Sequence, residues 1–167
     1  WRDRLRFFRG AGISTCLWCD LDEIASWDPE RFLDTLHALR VQDIVVGRSF
    51  RFGKGRSGDV SVLRDYGSRV GISVIVVPPV MHNGRVVSST RIRTLLGLGA
   101  VEEAAQLLGR PYTFAGRVIH GNGRGRMLGF RTANLRPGAT VDIGAGVYAV
   151  WVRVGGRVFR GAADVGC

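Results

Sequence analysis

Hydrophobic positions in the first two-thirds of the chain alternate between helical and extended spacing. Trp1, Leu5 and Phe8 mark one face of a short helix that stops at Gly10 and Gly12, and residues 13–18 follow as a strand. Asp28-Pro29-Glu30 predicts a helix start, with a capping Asp, Pro at the first helical position and an acid in the first turn. Phe32, Leu33, Leu36 and Leu39 supply that helix with an apolar stripe. Residues 43–47 read as a buried strand. Asp59 caps a further helix through Val60, Leu63 and Tyr66, and residues 72–77 form a β-branched strand. Short strands alternating with amphipathic helices predict a parallel α/β sheet, of which three strands are clear.

After Pro111 the texture changes. Helical periodicity gives way to β-rich runs at residues 112–120, 146–154 and 157–163, and Gly155-Gly156 between the last two is a two-residue hairpin signal. The pattern predicts an all-β piece, part of a barrel. Leu108-Gly109-Arg110-Pro111 is the natural boundary, giving two domains at residues 1–110 and 111–167. Neither reads as complete: the first offers three strands, and the second stops at Cys167 as a strand ends.

Composition narrows the class. A chain of 167 residues with 46% apolar content can bury a core. Its apolar stretches, such as residues 72–80, are far shorter than the roughly 20 residues a bilayer requires. Trp1-Arg2-Asp3-Arg4 has no apolar run behind it, so no signal peptide is read and a cytoplasmic location is expected. The formal charge is +10, and every basic residue except Lys54 is Arg. Arginine suits bidentate phosphate contacts and so points to a nucleotide or nucleic acid, whereas GC-rich coding favours arginine without any function. The arginines are spread along the whole chain, which favours the second reading of the bias and ranks a nucleic-acid binder last. Cys16-Leu17-Trp18-Cys19 has the spacing of a redox or zinc pair. It lacks a second pair to close a tetrahedral site, and on a strand its two thiols would face opposite ways, so a structural role is read.

Three segments carry candidate chemistry. Val87-Ser88-Ser89-Thr90-Arg91-Ile92-Arg93 follows an Asn83-Gly84 turn. Ser88 or Ser89 can cap a helix beginning near Thr90, with Ile92, Leu95 and Leu96 facing inward. The free N–H groups, hydroxyls and two arginines at such an end suit a polyphosphate, and equally describe an ordinary capped helix with solvated arginines. Val46-Gly47-Arg48-Ser49-Phe50-Arg51-Phe52-Gly53-Lys54-Gly55 follows the C-terminal end of a strand, where open α/β sheets bind ligands. There Phe50 and Phe52 either lie against a flat ring or plug the core. The third segment runs from Gly121 to Leu135. Its glycines suit phosphate wrapping, and Thr132 and Asn134 are hard-oxygen donors two residues apart that suit a magnesium nucleotide. No Gly-Lys-Ser/Thr closes it, so it is not a Walker loop, and a mobile hairpin loop with Asn134 in a turn is the competing reading.

Taken in order, these segments resemble the bacterial bifunctional riboflavin kinase and FMN adenylyltransferase family, the FAD synthetases. The similarity includes Val46-Gly47 with Phe50-Arg51-Phe52-Gly53, then residues 87–93 and Leu108-Gly109-Arg110-Pro111-Tyr112. It continues through Gly125-Arg126-Met127-Leu128-Gly129-Phe130, Thr132-Ala133-Asn134 and Gly146-Val147-Tyr148. The Ser-Ser-Thr-Arg-Ile-Arg element is shared with other small nucleotidyltransferases, and the Gly-Phe-x-Thr-Ala-Asn element after it is specific to this family.

The resemblance implies a fold of α/β plus all-β type: part of a Rossmann-like nucleotidyltransferase domain, then part of a riboflavin-kinase β-barrel. It implies flavin cofactor biosynthesis, with ATP and Mg²⁺ as cofactors and riboflavin, FMN and FAD as substrates and products. By the same resemblance Ser89, Thr90, Arg91 and Arg93 contact ATP phosphates, and Ser49 and Phe50 lie near the flavin. Thr132 and Asn134 hold magnesium-ATP under a flap at residues 121–129 that includes Gly121, Gly123 and Gly125. No catalytic residue is assigned, because His37, His82 and His120 stand apart from any His-x-x-His signature and only Val165, Gly166 and Cys167 follow Asp164. Arg131 stands where the family has Pro before Thr-Ala-Asn, Ser49 where it has Asp or Asn, and Asp164 where Asn is expected. The chain is therefore expected to be a piece of the bifunctional enzyme lacking both ends and lacking turnover. A binding module that holds ATP or flavin without reacting them is the alternative.

Overall fold

The computed structural model describes residues 2–121, 125, 129–130, 132–138 and 141–166. By compactness the chain divides into two units, Trp1–Pro79 and Val80–Cys167.

In the first unit, helix α1 (Arg2–Gly10) and the short α2 (Leu21–Ala25) precede α3 (Pro29–Ala38). Strand β1 (Asp43–Gly47) runs parallel to β2 (Ser73–Val77) in register from Asp43↔Ser73 to Gly47↔Val77. Between them the chain makes a 3₁₀ turn (Lys54–Arg56) and helix α4 (Val60–Val70). Parallel neighbours cannot be joined by a tight turn, and the α4 crossover supplies the required length. Asp59 caps α4 by accepting from the N–H groups of Ser61 and Val62, and Gly71 ends it in the left-handed region at φ 77°. Gly67 lets α4 lie directly on β2: a side chain there would run into the Ile72 carbonyl. The core is Leu33 from α3, Phe52, Leu63 and Tyr66 from α4, and Ile72, with Ile44, Val46 and Val74 from one face of the sheet packed on it. Tyr66 Oη donates to Asp34 Oδ1 at 2.7 Å, tying α4 to α3.

Several sequence expectations change here. Residues 13–18 form no ladder among the described residues, because an apolar segment becomes a strand only when a neighbour takes its N–H and C=O groups. β1 is half-buried, with alternate residues outward and Val45 61% exposed, because only one face of the pair meets the helices. Asp28 stands at the N-cap of α3 with Pro29 after it, yet its carboxylate makes no capping bond. Leu39 lies past the helix end and is exposed, so it is not part of the stripe.

The second unit opens with a small hairpin, β3 (Met81–His82) and β4 (Arg85–Val86), turned by Asn83 and Gly84 at φ 51° and 70°. Helices α5 (Ser89–Gly97) and α6 (Val101–Leu108) pack together around buried Leu96 and Ala104. Strands β5 (Gly116–Ile119) and β6 (Asn134–Pro137) pair antiparallel, as do β7 (Gly146–Val154) and β8 (Arg157–Val165) around the Gly155-Gly156 turn. The two sheets are separate antiparallel ribbons, and no closed barrel forms among the described residues. Residues 112–115, expected as strand, precede β5 as irregular chain.

Candidate nucleotide and flavin sites

Helix α5 begins where the hairpin delivers it. Val87 N–H extends the hairpin by donating to Val80 O at 2.8 Å, and Ser88 follows in extended conformation. Its hydroxyl accepts from Arg91 N–H at 3.2 Å, so Ser88, and not Ser89, is the cap. Ser89 and Thr90 occupy the first helical positions, where N–H groups have no intrahelical acceptor, and both are exposed. Ile92, Leu95 and Leu96 turn inward as the spacing predicts. Arg91 is half-buried, and its Nη1 is shielded from solvent with no hydrogen-bond partner among the described residues. Arg93 is exposed, with Nε 3.8 Å from Asp142 Oδ2. The first turn of α5 thus offers free N–H groups, the positive end of the dipole and the Ser89 and Thr90 hydroxyls, with Arg91 in the same turn and Arg93 two residues on, donors suited to a polyphosphate.

At the C-terminal end of β1, Phe50 N–H donates to Gly47 O at 3.0 Å and closes a turn with Arg48 and Ser49 at its tip. Ser49 is exposed. Phe50 is half-buried and stacks on Phe52 at 5.7 Å between ring centroids. Phe52 is a core residue: its ring meets Phe32 at 5.0 Å, and it lies under Gly58, where any side chain would overlap it. Phe52 is therefore a plug, and only Phe50 keeps a surface toward the C-terminal edge of the sheet. Phe52 and Gly58 exchange both backbone bonds, at 3.1 and 2.9 Å, and Lys54 N–H donates to Trp27 O at 2.7 Å, so the loop is closed on itself and fastened beside α3. Arg51 pairs with Asp59 at 2.7 Å. The Asp59 carboxyl is held down at about 2, first by the Ser61 hydroxyl and then by the Val62 N–H, with Arg51 adding to them against the effect of burial.

In the kinase-like segment, Asn134 sits on β6 opposite Ile119, not in a turn. Its side-chain amide occupies the space a Cβ at Gly121 would need, and Thr132 Oγ1 would stand 2.6 Å from a Cβ at Gly125. Thr132 thus sets its hydroxyl over Gly125, whereas Asn134 turns the nitrogen of its amide toward Gly121, with Oδ1 3.6 Å from that Cβ position. Phe130 N–H donates to Gly125 O at 2.8 Å, which folds the loop back. Gly123 and Arg131 fall outside the described residues, as do Arg124, Arg126, Met127 and Leu128.

The three histidines lie on separate elements: His37 in the last turn of α3, His82 on β3 and His120 just after β5. Cys16 and Cys19 are free, exposed thiols in irregular chain, so the strand geometry expected to separate them does not apply. Asp142 and Gly144, which reach α5, and the Tyr148 hydroxyl, which bonds Gly144, carried no local signal in the sequence beyond the Gly-Val-Tyr element.

Comparison with known proteins places the chain in a family. The FAD synthetase family model matches residues 1–91, and the riboflavin kinase model matches residues 108–167. The bifunctional riboflavin kinase/FMN adenylyltransferase of Listeria monocytogenes is 40% identical over 86% of this chain and 46% of its own length. That of Escherichia coli K12 is 35% identical over 99% of this chain and 54% of its own. The chain spans about half the length of the relatives it matches. A crystal structure described as a macrolide-efflux protein from Streptococcus pneumoniae superposes with a TM-score of 0.89 at 34% identity, over 99% of this chain and 54% of that one. Among the described residues no helix is long and apolar enough to cross a membrane. With the two models matching in tandem and the first alone covering more than half of the residues, the chain belongs to the bifunctional riboflavin kinase/FMN adenylyltransferase family.

Proposed function

We propose that the protein serves flavin cofactor formation, binding ATP for the adenylylation of FMN to FAD at α5 and for the phosphorylation of riboflavin to FMN at the β5–β6 segment. The observation that carries this reading is the shielded, unpaired Nη1 of Arg91 beside the Ser88-capped end of α5. A desolvated guanidinium N–H without an acceptor costs free energy, and a phosphate oxygen meets that demand. Ser89, Thr90 and Arg93 complete the phosphate set, and in the first unit Ser49 and Phe50, at the C-terminal edge of β1–β2, are the residues assigned to flavin contact.

For the second site, the side-chain oxygens of Thr132 and Asn134 would suit Mg²⁺, since it takes hard oxygen ligands, and Gly125 leaves room for the Thr132 hydroxyl. When bound, the ion neutralises charge on the nucleotide phosphates. Gly121, Gly123 and Gly125 then wrap the nucleotide with backbone amides. On this reading the functional modules are residues 1–110, Rossmann-like, and 111–167, part of a barrel, and the tandem family matches at residues 1–91 and 108–167 support there being two modules. Small-molecule substrates and a cytoplasmic location belong to the same reading.

Calorimetric titration with ATP tests it: binding that weakens at least tenfold in Arg91→Ala is expected, and identical isotherms for the two proteins would remove α5 from the site. A second reading, binding without turnover, is favoured by the three histidines standing on separate elements. Flavin fluorescence quenching with no FMN or FAD formed on chromatography supports it, and product formation rules it out.

A further inference from the structure

We infer that Asp142 is a positioning residue for Arg93, so that the anion site on α5 depends on the segment leading into β7. This rests on the proposal that α5 binds the ATP phosphates. The last turn of α5 is closed partly from outside the helix: Gly144 N–H donates to the Leu96 carbonyl at 2.8 Å. That approach excludes any side chain, because a Cβ at Gly144 would stand 2.5 Å from Gly97 O and 3.2 Å from Gly99 N. Tyr148 in turn holds Gly144, its hydroxyl donating to Gly144 O at 2.7 Å. The same hydroxyl stands 3.0 Å from where a Cβ on Gly99 would be. Two residues before this anchor, Asp142 reaches Arg93, and it meets the Nε edge of the guanidinium.

The edge matters. An Arg binds phosphate with two parallel N–H groups in a fixed plane, and that plane is free to swing on an exposed side chain. The Asp142 carboxylate, 3.8 Å from Nε and so beyond hydrogen-bond reach, biases the swing by its charge while leaving the Nη groups for the ligand. Arg93 and Asp142 are 64% and 44% exposed, so their attraction is modest, and its role is orientation. The pair also crosses between the two family models, since Arg93 lies next to the end of the FAD synthetase match and Asp142 lies inside the riboflavin kinase match. Movement of the β7 lead-in, anchored at Gly144, would therefore be felt at the phosphate site.

A double-mutant cycle on the 167-residue chain, read by calorimetric titration with ATP, tests the inference. Asp142→Ala is expected to weaken ATP binding about two- to fivefold, the range an exposed pair supports. Arg93→Ala should weaken it at least as much, and the double variant should bind no worse than Arg93→Ala alone. Asp142→Glu, which keeps a carboxylate, should restore most of the loss. Amide exchange at residues 96–100 should be unchanged in Asp142→Ala, which separates orientation from loosening of the helix. Wild-type binding by Asp142→Ala, losses that add in the double variant, or faster exchange at those amides would each overturn the inference. If Arg93→Ala itself binds ATP like wild type, the assignment of phosphates to α5 fails first and takes the inference with it.

Discussion

Replacing Gly67 by Ala sets two effects of opposite sign against each other. In an exposed helix interior the change stabilises by about 1 kcal/mol, because Ala has the better helix propensity. Gly67 is buried in the middle of α4, however, and its Cα faces β2. The new methyl would collide with the Ile72 carbonyl oxygen and stand 3.3 Å from Val74 Cγ2. Val74 can adjust, but the carbonyl cannot: Ile72 N–H donates to Gly67 O at 2.9 Å, and the next residue, Ser73, donates to Gln42 O at 2.9 Å where β2 enters its pairing with β1. Overpacking of this kind costs about 1–3 kcal/mol, and contact with backbone belongs to the upper part of that range. The net expectation is a loss of about 1–2 kcal/mol. For a unit of this size that corresponds to a melting temperature lower by roughly 5–15 °C. Thermal unfolding followed by circular dichroism, with amide exchange at Ile72 as a local readout, measures it. Gly71→Ala is the control: the site has open space, but its φ of 77° strains any side chain, so its loss arises without a collision. An unchanged or raised melting temperature in Gly67→Ala would show that α4 can lift from β2, and the argument for the close approach would fall.

Three further outcomes are expected. Ser88→Ala should lower the stability of α5 by about 1 kcal/mol, measured by amide exchange, and weaken ATP binding, because the cap fixes the first turn; equal exchange rates would contradict the capping role. The Asp59 carboxyl should titrate near 2, against an ordinary value of 3.8, when followed by carbon-detected NMR. A depressed folded-state value means that its contribution is present above 3.8 and is lost as pH falls toward 2, so Asp59→Asn should flatten the acid limb of the stability profile. Gly121→Ala should push the Asn134 amide out of its place and weaken magnesium-ATP binding without lowering the melting temperature, and unaltered binding would separate Asn134 from the nucleotide.

What the sequence disclosed and what it withheld divide along physical lines. α3, α4, α5 and the two glycine hairpins were readable because their signals are local: Pro29 at the first helical position, Asp59 and Ser88 as caps, Asn83-Gly84 and Gly155-Gly156 with the φ values such turns require. Strandedness is a property of pairs, so residues 13–18 had the composition of a strand and no ladder. β6 was missed for the converse reason: Asn134–Pro137 has little strand character, and pairing with β5 makes it one. α6 escaped because Ala100 precedes it with no side-chain cap, and only Gly109 in the left-handed region marks its end. At the candidate sites, Ser89, Thr90, Arg91 and Arg93 were placed on one helix end from spacing alone. That Phe52 is a core ring while Phe50 is half-buried depends on Gly58, which covers Phe52 from across the loop. Asp142 beside Arg93 is a long-range pairing with no sequence period to announce it.

The closed loop between Phe52 and Gly58 has a practical chemical consequence. It carries the only lysine in the chain, Lys54, whose side chain is exposed on a backbone fastened to Trp27. An amine-directed dye would modify this one side chain, along with the terminal amine, and the two differ enough in acidity to be addressed at different pH. A label at Lys54 would sit a few residues from Phe50 on a loop closed by backbone bonds, so, if the proposed flavin contact at the edge of β1 is right, its emission would change as the ring arrives, without any residue having been changed.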